Sequence, residues 1–166
     1  MFKTKEAGID LNQANRVFTT REVSQGAKVS LRQLQWWDES KLVSPRHAGH
    51  RRVYRFEDAV EASVVAELRR KGFSLRKIRR IVRLMHRKMG RWLSEILAGD
   101  SDLYLLTDGA SVHLEESPGR IIDLAKKSRQ PMSLICISDQ VRRLQTPPKK
   151  PAQKETKVAW RKSRAV

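Results

Sequence analysis

Cysteine is almost absent from this chain of 166 residues: Cys136 stands alone, so no internal disulfide framework can form. Long apolar runs are missing too. Nowhere do uncharged apolar residues continue for the roughly 18–20 positions that a membrane-spanning helix needs, and the opening stretch MFKTKEAGIDLNQANR lacks the apolar segment of a secretory signal. These absences exclude a disulfide scaffold and a helical membrane protein, and they predict a cytoplasmic one. No glycine-rich phosphate loop and no Ser, His, Asp arrangement accompanies the acidic residues Asp100, Asp102, Asp108, Glu115, Glu116 and Asp123, so catalysis is not expected. His47, His50, His86 and His113 have no paired zinc spacing, and Cys136 sits among Leu134, Ile135 and Ile137, the setting of a buried apolar thiol. Neither metal nor cofactor is expected.

Negative charge is the other scarcity. Asp and Glu number 18 against 35 Lys and Arg, a formal charge of +17, which points to a polyanionic partner without specifying a site. The distribution is uneven. Residues 19–88 hold 18 basic and 7 acidic side chains (+11), residues 146–166 hold 7 and 1 (+6), residues 1–18 hold 3 and 2 (+1), and residues 89–145 hold 7 and 8 (−1). A polyanion-facing surface therefore belongs to 19–88, and the weakly acidic segment needs another role.

Local patterns divide the chain along the same lines. Residues 1–18 show no sustained apolar period and read as a flexible lead. Thr19 or Thr20 can cap a short helix that has Glu22 in its first turn and ends near Gln25. A break at Gly26, Ala27 and Lys28 follows, and Ser30 caps a second helix with Leu31, Leu34 and Trp37 on one face. Together these form a helix-turn-helix. Arg46, Arg51, Arg52 and Arg55 surround a glycine in a predicted basic hairpin. A longer helix buries Val60, Val64, Val65 and Leu68 and stops at Lys71 and Gly72. Another starts at Ser74, with Leu75, Ile78, Ile81, Val82 and Met85 on its apolar face and Arg76, Arg80, Arg83 and Arg87 on a different one.

Beyond Met89 the pattern predicts a small α+β unit over 89–145. RWLSEILAG reads as a separate amphipathic helix, and two strands flank a turn at Asp108 and Gly109. A helical turn over Gly119–Lys127, an apolar strand over Met132–Ile137, and a last helix capped by Ser138 or Asp139 and ending near Leu144 complete it. Residues 146–166, with three prolines and seven basic side chains, read as a disordered basic tail. The expected fold class is α+β: a mainly helical winged helix-turn-helix over 19–88 and a small α+β association domain over 89–145.

A helix followed by a basic hairpin suits duplex DNA, whose major groove admits a helix and whose phosphates attract arginines. Ser30, Leu31, Arg32 and Gln33 occupy the N-terminal end of the second helix. Arg32 can present two donors to guanine, and Gln33 a donor and an acceptor to adenine.

From Thr19 to about Val82 the sequence resembles the winged helix-turn-helix of the MerR family of transcription regulators. TTREVSQGAKVSLRQLQWWDESKLV follows, without a gap, that family's Thr-x-x-Glu-Val, turn, Val-Ser and Leu-Arg-Tyr-Tyr-Glu pattern. GHRRVYRFEDAV resembles its wing entering the next helix, and KGFSLRKIRRIV its following helix start. Lys28 and Lys41 stand where the family has glycines, Gln35 where it has arginine, Trp36 and Trp37 where it has tyrosines, and Asp38 where it has glutamate. The resemblance implies phosphate contact from Gln35, phosphate or minor-groove contact from the wing residues Arg46, His50, Arg51 and Arg52, and DNA contact from Thr20 and Tyr54. Trp37 shares the face of Leu34 and is assigned to the core, whereas Trp36 suits either core or phosphate contact. The C-terminal unit is similar to one found in short MerR-like proteins, some of which are antitoxins.

The expected function is therefore sequence-specific binding of double-stranded DNA by a homodimeric transcription regulator, with half-sites about 34–36 Å apart. RNA polymerase and a cognate toxin are the candidate protein partners. The rival readings are a DNA-binding antitoxin, an excisionase-like architectural factor, and a nonspecific or RNA-binding module driven by the tail.

Overall fold

The computed structural model describes residues 15–98 and 102–146. Most of the predicted lead, the segment 99–101 and the tail beyond Thr146 lie outside the described residues. Three elements open the chain: β1 (Val17–Thr19), α1 (Thr20–Ala27) and α2 (Leu31–Glu39). The wing strands β2 (Arg46–Ala48) and β3 (Arg51–Arg55) follow, then α3 (Phe56–Arg70) and α4 (Leu75–Ala98). The remainder is β4 (Tyr104–Thr107), β5 (Val112–Glu115), α5 (Pro118–Lys127), β6 (Ser133–Cys136) and α6 (Ile137–Gln145). The fold is α+β, as expected.

Among the described residues two antiparallel three-stranded sheets result, in the orders β1-β3-β2 and β5-β4-β6. In the first, Phe18 of β1 lies opposite Tyr54 of β3. β1 begins inside the segment expected to be a flexible lead, because Phe18 has a buried site to fill against Phe56. In the second, the Asp108–Gly109 signal produces the expected hairpin. The Asp108 carboxylate accepts the backbone N–H groups of Ala110 and Ser111 and the Ser111 hydroxyl, and these donors hold its pKa below the usual aspartate range.

α1 runs two residues further than expected. Gly26 and Ala27 remain helical, and the chain turns instead at Lys28, in the left-handed region at φ 55°. Gly26 is a packing residue: a Cβ there would lie 2.7 Å from Cδ2 of Leu144, so its bareness lets α6 lie close to α1. α4 is likewise one helix of 24 residues, about 36 Å long, where a break near Met89 was expected. Gly90 does not interrupt it, since a lone glycine costs a helix only about 1 kcal/mol.

α3 is the central post. From Phe56 to Leu68 only Glu57 and Glu67 escape full burial, because other elements pack around it, and its small residues Ala59, Ala62, Ser63 and Ala66 permit close approach. One apolar cluster spans the chain, from Phe18, Leu34, Trp37 and Tyr54 through α3, Ile78, Ile81 and Met85 to Leu105, Leu114, Ile135, Val141 and Leu144. The two segments distinguished by charge therefore share a single core. Among the described residues no helix is long and apolar enough to cross a membrane, and no three His, Cys, Asp or Glu side chains are grouped to hold a metal ion.

Candidate nucleic-acid interface

Two capping boxes fix the starts of α1 and α2. Thr19 Oγ1 accepts the Glu22 N–H at 3.2 Å while Glu22 Oε2 accepts the Thr19 N–H at 2.8 Å, fixing the start of α1. The Thr19 backbone N–H, together with Arg16 at 3.0 Å, lowers the Glu22 pKa. Ser30 and Gln33 repeat the arrangement on α2: the Gln33 N–H donates to Ser30 Oγ at 3.1 Å and the Ser30 N–H to Gln33 Oε1 at 2.9 Å. The turn between the helices is held from behind by Arg70 of α3, whose guanidinium donates to the Ala27 and Lys28 carbonyls. Such a bond satisfies carbonyls that the end of α1 would otherwise leave open.

The wing is tied to α2 by a buried carboxylate. Asp38 accepts from Arg52 Nε at 2.6 Å, and His47 Nε2 lies 3.0 Å from the same oxygen. One residue near the end of α2 thus grips both wing strands. At the wing's base Arg55 pairs with the buried Asp58, a bond that raises the Arg55 pKa further.

Between α2 and the wing lies an open groove of about 1170 Å³. Its cationic lining is Arg21, Arg32, Arg51 and Arg52; Thr19, Thr20, Gln35 and His50 add polar groups and Val17, Phe18, Leu31 and Val53 apolar ones, and it contains no acidic residue. Among the described residues Arg21, Arg32 and Arg51 form no ion pair. Three unneutralised guanidinium groups around one concave surface produce a focused positive potential suited to phosphate oxygens.

The candidate site residues distribute unevenly over this surface. Thr20, Leu31, Arg32, Gln35, His50, Arg51 and Arg52 line the groove, and Ser30 and Gln33 cap the helix beside it. Gln33 has its side-chain carbonyl committed to the cap, which removes the acceptor half of the pairing expected with adenine. Gln35 donates to Glu39 at 2.8 Å. Arg46 is exposed on β2 outside the groove lining. Trp36 is 45% exposed, so of its two readings the core is excluded, whereas Trp37 is buried as expected.

Tyr54 is a correction. It is 1% exposed and belongs to the core, and burial pushes its phenol up to about 12. Strand alternation decides this: with Arg51 and Arg55 exposed on β3, the register places Tyr54 across from Phe18 on the inner side. Cys136, expected to be buried, is only half-buried.

Arg21 and Asp38 escaped the sequence reading. Arg21 has a legible signal, as an exposed cation in the first turn of α1 directly after Thr20, the position that the resemblance singles out. Asp38 has no such signal, because its partner Arg52 lies 14 residues away and the pair exists only after the wing folds back.

Residues 18–84 match the model of the MerR HTH family regulatory protein. No curated protein matches the chain.

Proposed function

We propose, from a chain whose residues 18–84 form a DNA-binding helix-turn-helix of the MerR regulatory family, that α2 enters the major groove of duplex DNA while the wing grips the adjoining backbone. The observation that carries this reading is the acid-free groove lined by Arg21, Arg32 and Arg51. A sugar-phosphate ridge seated there would leave the first turn of α2 facing base edges on one side and the wing facing the next groove on the other. Arg32, at the start of α2, reads bases. Arg21, Arg51 and His50 hold phosphates, and Trp36 offers its indole N–H to the same backbone. Asp38 is a positioning residue that sets the wing's distance from α2 through Arg52 and His47.

Two copies acting together follow from the small reach of α2, since one recognition helix contacts too few base pairs for useful selectivity; the half-sites would lie about 34–36 Å apart. The chain thus acts as a dimeric, sequence-specific regulator of transcription and not as an enzyme. Selection of bound sites from random duplexes tests this directly. A two-fold symmetric consensus is expected, and the absence of any consensus would shift the reading to an architectural or nonspecific binder. Arg32→Ala should cost about 1–3 kcal/mol on the selected site and little on random DNA. Arg51→Ala should weaken both alike and reduce the logarithmic salt slope by about 0.9. Equal losses on both duplexes for Arg32→Ala would remove it from base reading.

A second reading, the DNA-binding antitoxin, is favoured by one feature of the C-terminal unit: α5 has no buried residue and Ile122 is 52% exposed, which leaves apolar surface for another protein. Co-purification of a second small protein, bound one to one, would support it.

A further inference from the structure

The second sheet ends in a strand edge that carries none of the usual protection. β6 consists of Ser133, Leu134, Ile135 and Cys136 and, among the described residues, pairs only with β4. It holds no charge, proline or glycine, the devices by which natural sheets blunt their edges. The opposite edge differs: β5 carries His113 and Glu115, and Lys88 donates to its Val112 carbonyl at 3.1 Å.

Register shows which groups face outward. Tyr104 lies opposite Cys136, and the Ile137 N–H donates to the Leu103 carbonyl at 2.8 Å. Hydrogen-bonded and non-bonded pairs alternate along antiparallel strands, so Leu105 and Ile135 form a bonded pair while Leu134 and Cys136 aim their backbone N–H groups away from β4. The Leu134 carbonyl points the same way, and Leu134's side chain is 43% exposed. Leu106 and Leu134 face the side of the sheet opposite Leu105 and Ile135, and Leu106, though buried, lies outside the shared core.

Charge selects the occupant. Most of this molecule repels its own copy: the formal charge is +17, and only residues 89–145 are not net positive. Beside β6 a shallow cleft is rimmed by Glu67, Lys71, Asp139 and Arg143; within the copy Glu67 pairs with Arg70 and Arg143 and Asp139 with Arg142, so most of the charge around this edge is matched. Such a patch can face itself across a two-fold axis, as an isologous interface requires; the arginine-lined groove cannot.

We infer that two copies of this chain join through their β6 edges, antiparallel about Ile135, to make one continuous six-stranded sheet. The inference rests on the dimeric reading proposed above and assigns its surface. Around the axis, the Cys136 N–H of each copy donates to the Leu134 carbonyl of the other. The Leu134 side chains cover apolar surface across the seam, and the internally paired charges beside it leave little net field to push the copies apart.

The test is the mass of the full chain across a concentration series by sedimentation, for the wild type, Leu134→Lys and Leu134→Pro. Because the Leu134 N–H does not bond to β4, proline there blocks the outer edge while sparing the inner pairing. Lysine adds a like charge at the seam and keeps the backbone intact. A dimeric wild type is expected, with a dissociation constant at least about tenfold weaker in both variants, unchanged circular dichroism, and unchanged affinity for a single half-site. A short bis-maleimide should join wild-type copies through Cys136, the only thiol, and fail to join Leu134→Lys. A dimeric wild type whose variants dimerise equally well overturns the edge and leaves the dimeric reading standing. A wild type that is monomeric at every concentration and on two-half-site DNA overturns both. Dimers that appear only when residues 147–166 are removed assign the edge to the chain's own tail and overturn the inference.

Discussion

The two three-stranded sheets of this protein are each a hairpin extended by a third antiparallel strand and rest on one core, yet they face solvent with opposite chemistry. The first presents Arg46, Arg51, Arg52 and Arg55. The second presents Leu134 from an uncharged edge. Outward residues, not the layout of strands, decide what a small sheet can meet: a cationic surface suits a polyanion, and one without charge suits protein.

The largest expected effect tests whether the two sheets belong to one folding unit. Leu105 is fully buried in the shared core, so Leu105→Ala should destabilise the whole chain by about 3–4 kcal/mol in a single cooperative urea transition, with tryptophan fluorescence and far-UV circular dichroism in step. Two separated transitions would show two independent domains.

Next comes the strut of the first sheet. Asp38→Ala frees Arg52 and His47 together and should cost about 2–3 kcal/mol of stability. DNA affinity should fall as well, although Asp38 does not line the groove. Full affinity in a correctly folded variant would show that the wing holds its angle without the carboxylate.

A smaller effect concerns the post behind both sheets. Glu61 of α3 is buried, with His86 Nε2 2.7 Å from its carboxylate, and burial, reinforced by the nearby Asp58 charge, raises its pKa to about 8. The folded state therefore holds a proton that the unfolded chain releases near the ordinary value of 4.5. This contribution to stability is complete below about 4.5 and is lost as pH rises through about 8. Glu61→Gln should flatten that slope and raise stability at pH 9 by on the order of 1–2 kcal/mol, read from thermal melts between pH 5 and 9. An unchanged slope would show that Glu61 is ionised throughout.

The smallest effect lies at the two turns. Lys28 and Lys41 have φ of 55° and 58°, where a side chain costs about 1–2 kcal/mol relative to glycine. Part of that gain is returned through the freer unfolded chain, so Lys28→Gly should stabilise by about 0.5 kcal/mol in urea titrations. Destabilisation would mean that the lysine makes a compensating contact.

Much of the first sheet's surroundings was legible because its signals are local. A Thr or Ser followed three residues later by Glu or Gln marks the starts of α1 and α2, since both hydrogen bonds form within one turn. The same pattern explains Gln33: its position in the Ser30 box, not its affinity for adenine, determines where its carbonyl points. Arginines around a glycine announced the wing. Tyr54 was misplaced because its inner side of β3 is defined by Phe18, 36 residues away in the chain. Gly26 looked like a stop because the reason for its bareness, Leu144, is farther still.

Residue order alone dictated the helix starts, the hairpin at Asp108 and Gly109, and the concentration of positive charge in one half of the chain, for these depend on side chains interacting with their own backbone or simply being present. Tertiary structure alone decided that α6 closes onto α1, that one core serves both sheets, that Asp38 clamps the wing, and that Arg21, Arg32 and Arg51 converge on one groove. Those arrangements join groups many residues apart, and the burial that holds them together exists only once the whole chain has collapsed around α3.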